Sequence, residues 1–249
     1  GIGLHTGNKV KMTLNPAPIE TGIVFRKQLK NKTEEIKANY KNVTSTRLCT
    51  ILSNDNGNSV STVEHILSAL YAYEIDNVFI DINSNEIPVY DGSSFEFVKM
   101  IEKACVEEQK SYKKFLKIKK NIEIKIDNKV SRVSPFDNTL ITTEVNYNHK
   151  VIGKQSISLL LNSSIYKSQI ASARTFGFLK DVENLRKSGL ALGGSLDNAI
   201  VLDEEKVLNK EGLRFTDEFV RHKLLDFIGD ISLSGYRILG SFYTSHPGH

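Results

Sequence analysis

Phe219-Val220-Arg221-His222-Lys223-Leu224-Leu225-Asp226, running on through Phe227-Ile228-Gly229-Asp230, reads as one amphipathic helix over residues 216–232. At about 100° per residue, His222 and Asp226 stack one turn apart on a single face, and Asp230 continues that face. Val220, Leu224, Phe227, Ile228 and Ile231 gather on the opposite side as a core stripe. The polar face is therefore expected to line a cleft. A second helix is expected over 62–73, opened by Ser61-Thr62-Val63-Glu64-His65. Ser68, Ala69 and Ala72 share the face of His65, and such small side chains let a neighbouring element approach closely.

Around these helices lie β-type segments at 9–14, 22–25, 50–52 and 78–82, then a helix at 95–107 and a polar stretch at 107–112 suited to a linker. Beyond it, 115–126 alternates apolar residues with lysine as a half-exposed strand, and 140–145 and 236–243 suggest two more. A further helix is expected at 164–171. Strands, helix, strand, helix in each half predict an α+β protein of two similar domains, 1–108 and 113–249. The second half carries an insert at about 175–202: Phe176-Gly177-Phe178, a short helix near 181–187, glycine turns at Gly189 and Gly193-Gly194, and the strand-like Ala199-Ile200-Val201-Leu202. Inserts on a scaffold often carry substrate contacts.

The chain has 249 residues, 40% of them hydrophobic and a quarter charged, enough for a substantial core. It holds no apolar run near the roughly 18 residues needed to span a bilayer, so it is not expected to span a membrane. Two cysteines, Cys49 and Cys105, lack metal-ligand spacing and suggest no disulfide framework, which favours a reducing, cytoplasmic setting. The chain opens on Gly1 and closes on Pro247-Gly248-His249, so both ends are expected to be cut. The net charge is +4, with Lys113, Lys114, Lys117, Lys119 and Lys120 close together. That cluster suits an anionic partner or a guarded strand edge, and it leaves a nucleic-acid-binding module as a reading from another class.

Zinc used in catalysis takes three nitrogen or oxygen ligands and keeps a position for water. His65, His222 and Asp226 fit that count, and Glu64 is placed to act as a general base. Two structural alternatives stand beside this. Ser61-x-x-Glu64 is also a capping box, and His222 with Asp226 could be an i,i+4 surface pair. Spacing alone does not bring the two helices together.

The chain resembles the UDP-3-O-acyl-N-acetylglucosamine deacetylase family, zinc amidases of lipid A biosynthesis in Gram-negative bacteria. The resemblance rests on Gly1-Ile2-Gly3-Leu4-His5-Thr6-Gly7, residues 61–67, Glu86-Ile87-Pro88 with Asp91-Gly92-Ser93, Ala173-Arg174-Thr175-Phe176-Gly177-Phe178, Gly193-Gly194-Ser195, and the stretch from Gly212 to Asp230. It implies helices packed between two sheets, one zinc per chain on His65, His222 and Asp226, and attack of a metal-bound water with Glu64 as general base. Thr175 would steady the oxyanion, Lys223 would lie near the diphosphate, and Asp230 would orient a cationic His249 that assists departure of the amine. His249 follows glycine as the family histidine does, whereas His246 does not.

The same resemblance makes the insert a passage for the fatty acyl chain, with Phe176, Val182, Ala191, Ser195, Leu196, Ala199 and Val201 on the substrate's path. Leu48 and Cys49 would border the zinc site, and Lys129 would lie near the nucleotide. The expected partner is the UDP-linked acylated sugar, bound by a monomer, with no nucleic acid. A zinc amidase for a different acylated sugar is the nearer alternative. The family's strand before Gly1 and helix after His249 have no counterpart in this sequence.

Overall fold

The computed structural model describes residues 1–28 and 32–249. The first half supplies β1 (Met12–Pro16), β2 (Ile23–Gln28), β3 (Thr33–Lys37), β4 (Val43–Ser45), β5 (Ile51–Ser53), β6 (Ser59–Ser61), α1 (Glu64–Ala72), β7 (Val78–Ile82) and α2 (Phe95–Ala104). In β7, Val78, Ile80 and Ile82 are buried while Phe79 and Asp81 are half-buried, the alternation of a sheet with one face on a core. A four-stranded sheet runs β1-β7-β2-β3, with β2 and β7 parallel, and a three-stranded one runs β4-β5-β6.

The second half supplies β8 (Phe115–Lys117), β9 (Ile122–Ile126), β10 (Lys129–Ser134), β11 (Thr139–Asn146), β12 (Lys154–Leu160), α3 (Ser163–Gln169), β13 (Phe176–Phe178), α4 (Leu179–Lys187), β14 (Ile200–Leu202), α5 (Glu218–Ser232) and β15 (Arg237–Ser245). Its main sheet runs β12-β11-β15-β10-β9, and β8 joins β15 as well. The insert closes as a parallel β13–β14 pair flanking α4.

One strand expectation is corrected. Residues 115–126 do not form a single strand, because one edge of β15 serves two partners in succession. Residues 237–239 pair with β8, and residues 241–245 pair with β10. The chain must leave β15 after β8, and β9 then pairs on the outside of β10. The helix expected at 95–107 ends at Ala104, since Cys105 takes φ 62°. The polar strands β10 and β12, rich in serine and lysine, carry too little apolar alternation to read from sequence.

A smaller apolar core of Ile152, Ile200, Leu202 and Phe219 sits under the insert, and the main one runs through the layers. Phe25, Ile36 and Ile80 of the four-stranded sheet, Ile66, Leu67 and Leu70 of α1, Leu224, Leu225 and Ile228 of α5, and Ile141, Leu159 and Phe242 of the six-stranded sheet belong to it. Every residue of α1 is buried, as for a helix enclosed on all sides. The mixed α+β fold follows the sequence expectation, and α1 meets α5 at its centre.

The two helices touch through backbone. A Cβ built on Gly229 would lie 2.2 Å from the carbonyl oxygen of Glu64 and 2.9 Å from its Cα. Helix propensity alone favours Gly229→Ala by about 1 kcal/mol. The steric clash predicts the reverse sign: a destabilisation of about 1–3 kcal/mol from overpacking, read as a lowered midpoint in chemical denaturation. An unchanged or raised midpoint would show that the helices can separate without cost.

Candidate metal centre and its cleft

The start of α1 is shaped by strain rather than by a capping box. The Ser61 hydroxyl donates to the Asn85 carbonyl at 3.1 Å, and Val63 at the cap position makes no side-chain capping bond. Thr62 sits at φ 58°, a genuine outlier for a β-branched residue. Glu86 holds it there. This fully buried carboxylate accepts the Thr62 hydroxyl at 3.2 Å, the N–H groups of His5 and Thr6 at 2.7 and 2.8 Å, and the Thr6 hydroxyl at 2.6 Å. Glu64 Oε2 accepts the Thr50 N–H at 3.1 Å, and the Ser61 N–H goes to the Asn85 carbonyl at 2.9 Å, so the carboxylate lines a cavity without reaching back to Ser61.

The ligand-type residues converge. One donor atom from each of His65, His222 and Asp226 lies within 4.8 Å of the others. His222 Nε2 is 3.3 Å and His65 Nε2 is 3.7 Å from Asp226 Oδ1. Ligands about 2.0–2.1 Å from one tetrahedral ion stand roughly 3.4 Å apart, so these separations suit a shared ion. All three residues are buried, which rules out a solvated surface pair. Asp226 Oδ1 and His65 Nδ1 are buried without a hydrogen-bond partner, while His222 Nδ1 donates to the Ala173 carbonyl at 3.1 Å.

Electrostatics keep the donors in their binding forms. Burial, reinforced by His222, pulls His65 down to about 3, and burial also lowers His222, so both imidazoles are neutral near pH 7. Burial works against the charge on Asp226, but His222, Lys223, His249 and His65 outweigh it and hold the carboxyl below its usual range. Lys223 donates to Asp226 Oδ2 at 2.7 Å and stays charged through that contact despite its burial. Burial pushes Glu64 up to about 8, with His249 opposing and Asp230 and Asp226 adding to the rise. His249 Nδ1 donates to Asp230 Oδ2 at 3.0 Å, and Asp230 Oδ1 accepts the Thr50 hydroxyl at 2.6 Å. Burial disfavours charge on His249, but that hydrogen bond and the carboxylates of Asp226, Glu64 and Asp230 win, raising it to about 9.

A cavity of about 190 Å³ gathers Leu48, Glu64, His65, Thr175, Phe176, His222, Lys223, Asp226 and His249, together with Leu4, His5 and Thr62. Sequence reasoning named none of those last three as site residues; its only signal for them was the Gly1–Gly7 and 61–67 motif stretches. An adjoining cavity of about 450 Å³ shares Leu48, Phe176 and Lys223 and adds Val182, Tyr147, Phe178 and Leu185. The walls of these two cavities do not include Cys49, Ala191, Ser195, Leu196, Ala199, Val201 or Lys129. Cys49 is buried beside them, and burial together with Glu64 pushes its thiol up to about 12. Ser195 and Val201 are tied into the insert by Asn198 and Asn209, and Leu196 is exposed. Lys129 Nζ would lie 2.8 Å from a Cβ built on Gly248, so it stands next to the segment carrying His249. Of the clustered lysines, Lys113, Lys114 and Lys117 pair with carboxylates.

A buried set of two histidines and an aspartate that could hold a metal ion, faced by a buried glutamate in a layered α+β fold, has the composition of a hydrolytic metal centre. Comparison with known proteins makes the assignment specific. The family model described as UDP-3-O-acyl N-acetylglycosamine deacetylase (LpxC) matches residues 1–249, and the chain belongs to that family. A UDP-3-O-acyl-N-acetylglucosamine deacetylase of Campylobacter jejuni subsp. jejuni is 49% identical over 248 residues, covering 100% of this chain and 83% of the relative. Enzymes of the same name from Mannheimia succiniciproducens and Thioalkalivibrio sulfidiphilus are 47% and 45% identical over 251 residues, covering 100% of this chain and 82% of each relative. No helix among the described residues is long and apolar enough to cross a membrane.

The Asp230–His249 contact predicts a measurable shift. Asp230→Asn removes the negative charge and weakens the hydrogen bond that raise His249, and its titration midpoint should fall by roughly 1–2 pH units, read by NMR of the ring. The cationic form would then be lost at lower pH than in the parent. A midpoint that stays near 9 would mean that Asp230 does not control the histidine.

Proposed function

We propose that the chain is a zinc-dependent deacetylase that hydrolyses the N-acetyl amide of UDP-3-O-acyl-N-acetylglucosamine in lipid A biosynthesis. The observation that carries this is the convergence of His65, His222 and Asp226 on one point beside Glu64. Two neutral imidazoles and an ionised carboxylate are the donor types zinc takes, and Asp226 Oδ1 is left without another partner. When bound, the ion supplies a Lewis acid for the acetyl carbonyl, acidifies water, and favours the ionised form of Glu64.

The chain's own groups then divide the work. Glu64 accepts the proton of a water molecule as its oxygen attacks the acetyl carbon. Thr175 offers its hydroxyl to the carbonyl oxygen as negative charge develops there. His249, kept cationic by Asp230, gives a proton to the sugar nitrogen as the C–N bond breaks, releasing acetate and a free amine. Lys223 remains charged beside Asp226 and serves the substrate's diphosphate, with Lys129 nearer the nucleotide.

The adjoining cavity accommodates the acyl chain. Leu48, Phe176 and Val182 line it, and Cys49, Ala191, Ser195, Leu196, Ala199 and Val201 of the surrounding segments complete the substrate's path. Each buried CH₂ of the chain adds about 0.8 kcal/mol. We assign residues 1–108 and 113–249 to two domains with the 175–202 insert in the second, and one zinc to each chain, acting as a cytoplasmic monomer.

Glu64→Ala should keep about one zinc per chain by metal analysis while losing roughly 10²–10⁴-fold in kcat. Undiminished hydrolysis of the UDP-linked substrate by that variant would sink the mechanism. The acyl assignment rests on a separate comparison. A substrate lacking the 3-O-acyl chain should show a much higher KM, and equal KM values would remove the passage from the reading.

A further inference from the structure

Glu218, the first residue of α5, belongs to the same i,i+4 ladder as His222, Asp226 and Asp230. It is fully buried, and so, at 2% exposure, is its partner Arg174. Glu218 Oε1 accepts the Arg174 backbone N–H at 3.0 Å and Nε at 2.9 Å. Its Oε2 accepts Arg174 Nη2 at 3.2 Å and the Arg214 N–H at 2.6 Å. The remaining guanidinium donors reach Glu211 at 2.8 Å and the Gly212 carbonyl at 2.7 Å.

The decisive geometry is a single peptide plane. The Ala173–Arg174 peptide gives its N–H to Glu218 and accepts the Nδ1–H of His222 on its carbonyl. In a trans peptide these two groups point in opposite directions, and residues 218 and 222 are one helical turn apart, about 5.4 Å. The plane therefore lies along α5, pinned at one end by the carboxylate and at the other by the imidazole. Rotation about it would release both bonds. While it is pinned, His222 must carry its proton on Nδ1, which leaves the Nε2 lone pair facing Asp226. The residue that follows is Thr175, whose N–H and carbonyl bond to Gly92 and Ile200 at 2.8 Å.

We propose that the Arg174–Glu218 pair is a positioning device for the metal centre: it locks the 173–174 peptide, and through it fixes the tautomer and aim of His222. The inference rests on the zinc reading above. A metal-bound histidine almost always donates its other ring N–H to such a partner, and loss of that partner typically costs 10–100-fold in metal affinity; of the two histidines here, His222 has one on Nδ1 and His65 does not.

The experiment measures two properties of purified variants. Zinc affinity is obtained by competition with a chelator, and the His222 tautomer by ¹⁵N NMR of the metal-free protein. Glu218→Ala should weaken zinc binding by roughly 10–100-fold and yield a mixture of tautomers, whereas Glu218→Gln, which keeps an acceptor for the peptide N–H, should recover part of both. Glu211→Gln, which removes only the half-exposed partner, should match the parent. Should the unpaired Arg174 prevent folding of Glu218→Ala, the double variant Arg174→Met/Glu218→Met removes both charges together and should show the same two changes. A folded double variant with parental zinc affinity and a single Nδ1-protonated His222 overturns the proposal. A parent that binds zinc no more tightly than His222→Ala would refute the zinc reading instead, and the tautomer measurement still decides the role of the pair.

Discussion

The carbonyl of Glu64 rests against the bare backbone of Gly229, and the geometry of the centre follows from that contact. Glu64 opens α1 and Gly229 lies between Asp226 and Asp230 on α5. Backbone approach at this point brings His65 over Asp226 and turns Glu64 toward Asp230, whereas any side chain at position 229 would hold the helices apart. The apolar core presses the two helices together from both sheets. Because the contact is backbone to backbone, neither helix can roll or slide without moving the faces that carry His65 and Asp226.

Charge inside this crossing is balanced locally. Asp226 has Lys223, Asp230 has His249, and Glu218 has Arg174. Glu64 is the exception: it accepts the backbone N–H of Thr50, which through its hydroxyl also holds Asp230. One residue thus fixes the spacing between the carboxylate with the raised pKa and the carboxylate that keeps His249 cationic. A carboxyl biased toward its neutral form and an imidazole biased toward its cation stand in one cavity because burial dominates the first and ion pairing the second.

The sequence disclosed the parts of the centre that obey a period. Residues 222, 226 and 230 announce themselves through i,i+4 spacing opposite an apolar stripe, and the α+β order follows from alternation in segments such as β7 and β11. Glu218 obeys the same period and was legible in principle, but at a helix start a glutamate reads as a favourable dipole partner. What resists reading is set by contacts between distant segments. Thr62 adopts φ 58° only because Glu86 grips it, and Glu86 grips it while holding His5 and Thr6. Ser61-x-x-Glu64 matches a capping box locally, and the tertiary grip overrides it. The split of 115–126 into two strands is likewise decided by which segments occupy one edge of β15.

The grip by Glu86 also explains how the insert is tied to the centre. The loop it holds offers the carbonyls of Leu4 and His5 to the N–H groups of Gly193 and Leu192, each at 3.0 Å. A Cβ on Gly193 would stand 2.2 Å from the Gly3 carbonyl, so only glycine permits the two loops to meet. Through this joint the same carboxylate that strains Thr62 anchors the inner end of the insert, next to His5 in the cavity wall. The outer element, α4, has no buried residue, and an element with so little buried contact has the least to lose on local opening. Buried contact in the insert is therefore graded, greatest where it joins the Leu4–His5 loop beside the centre and least along α4, which walls the adjoining cavity.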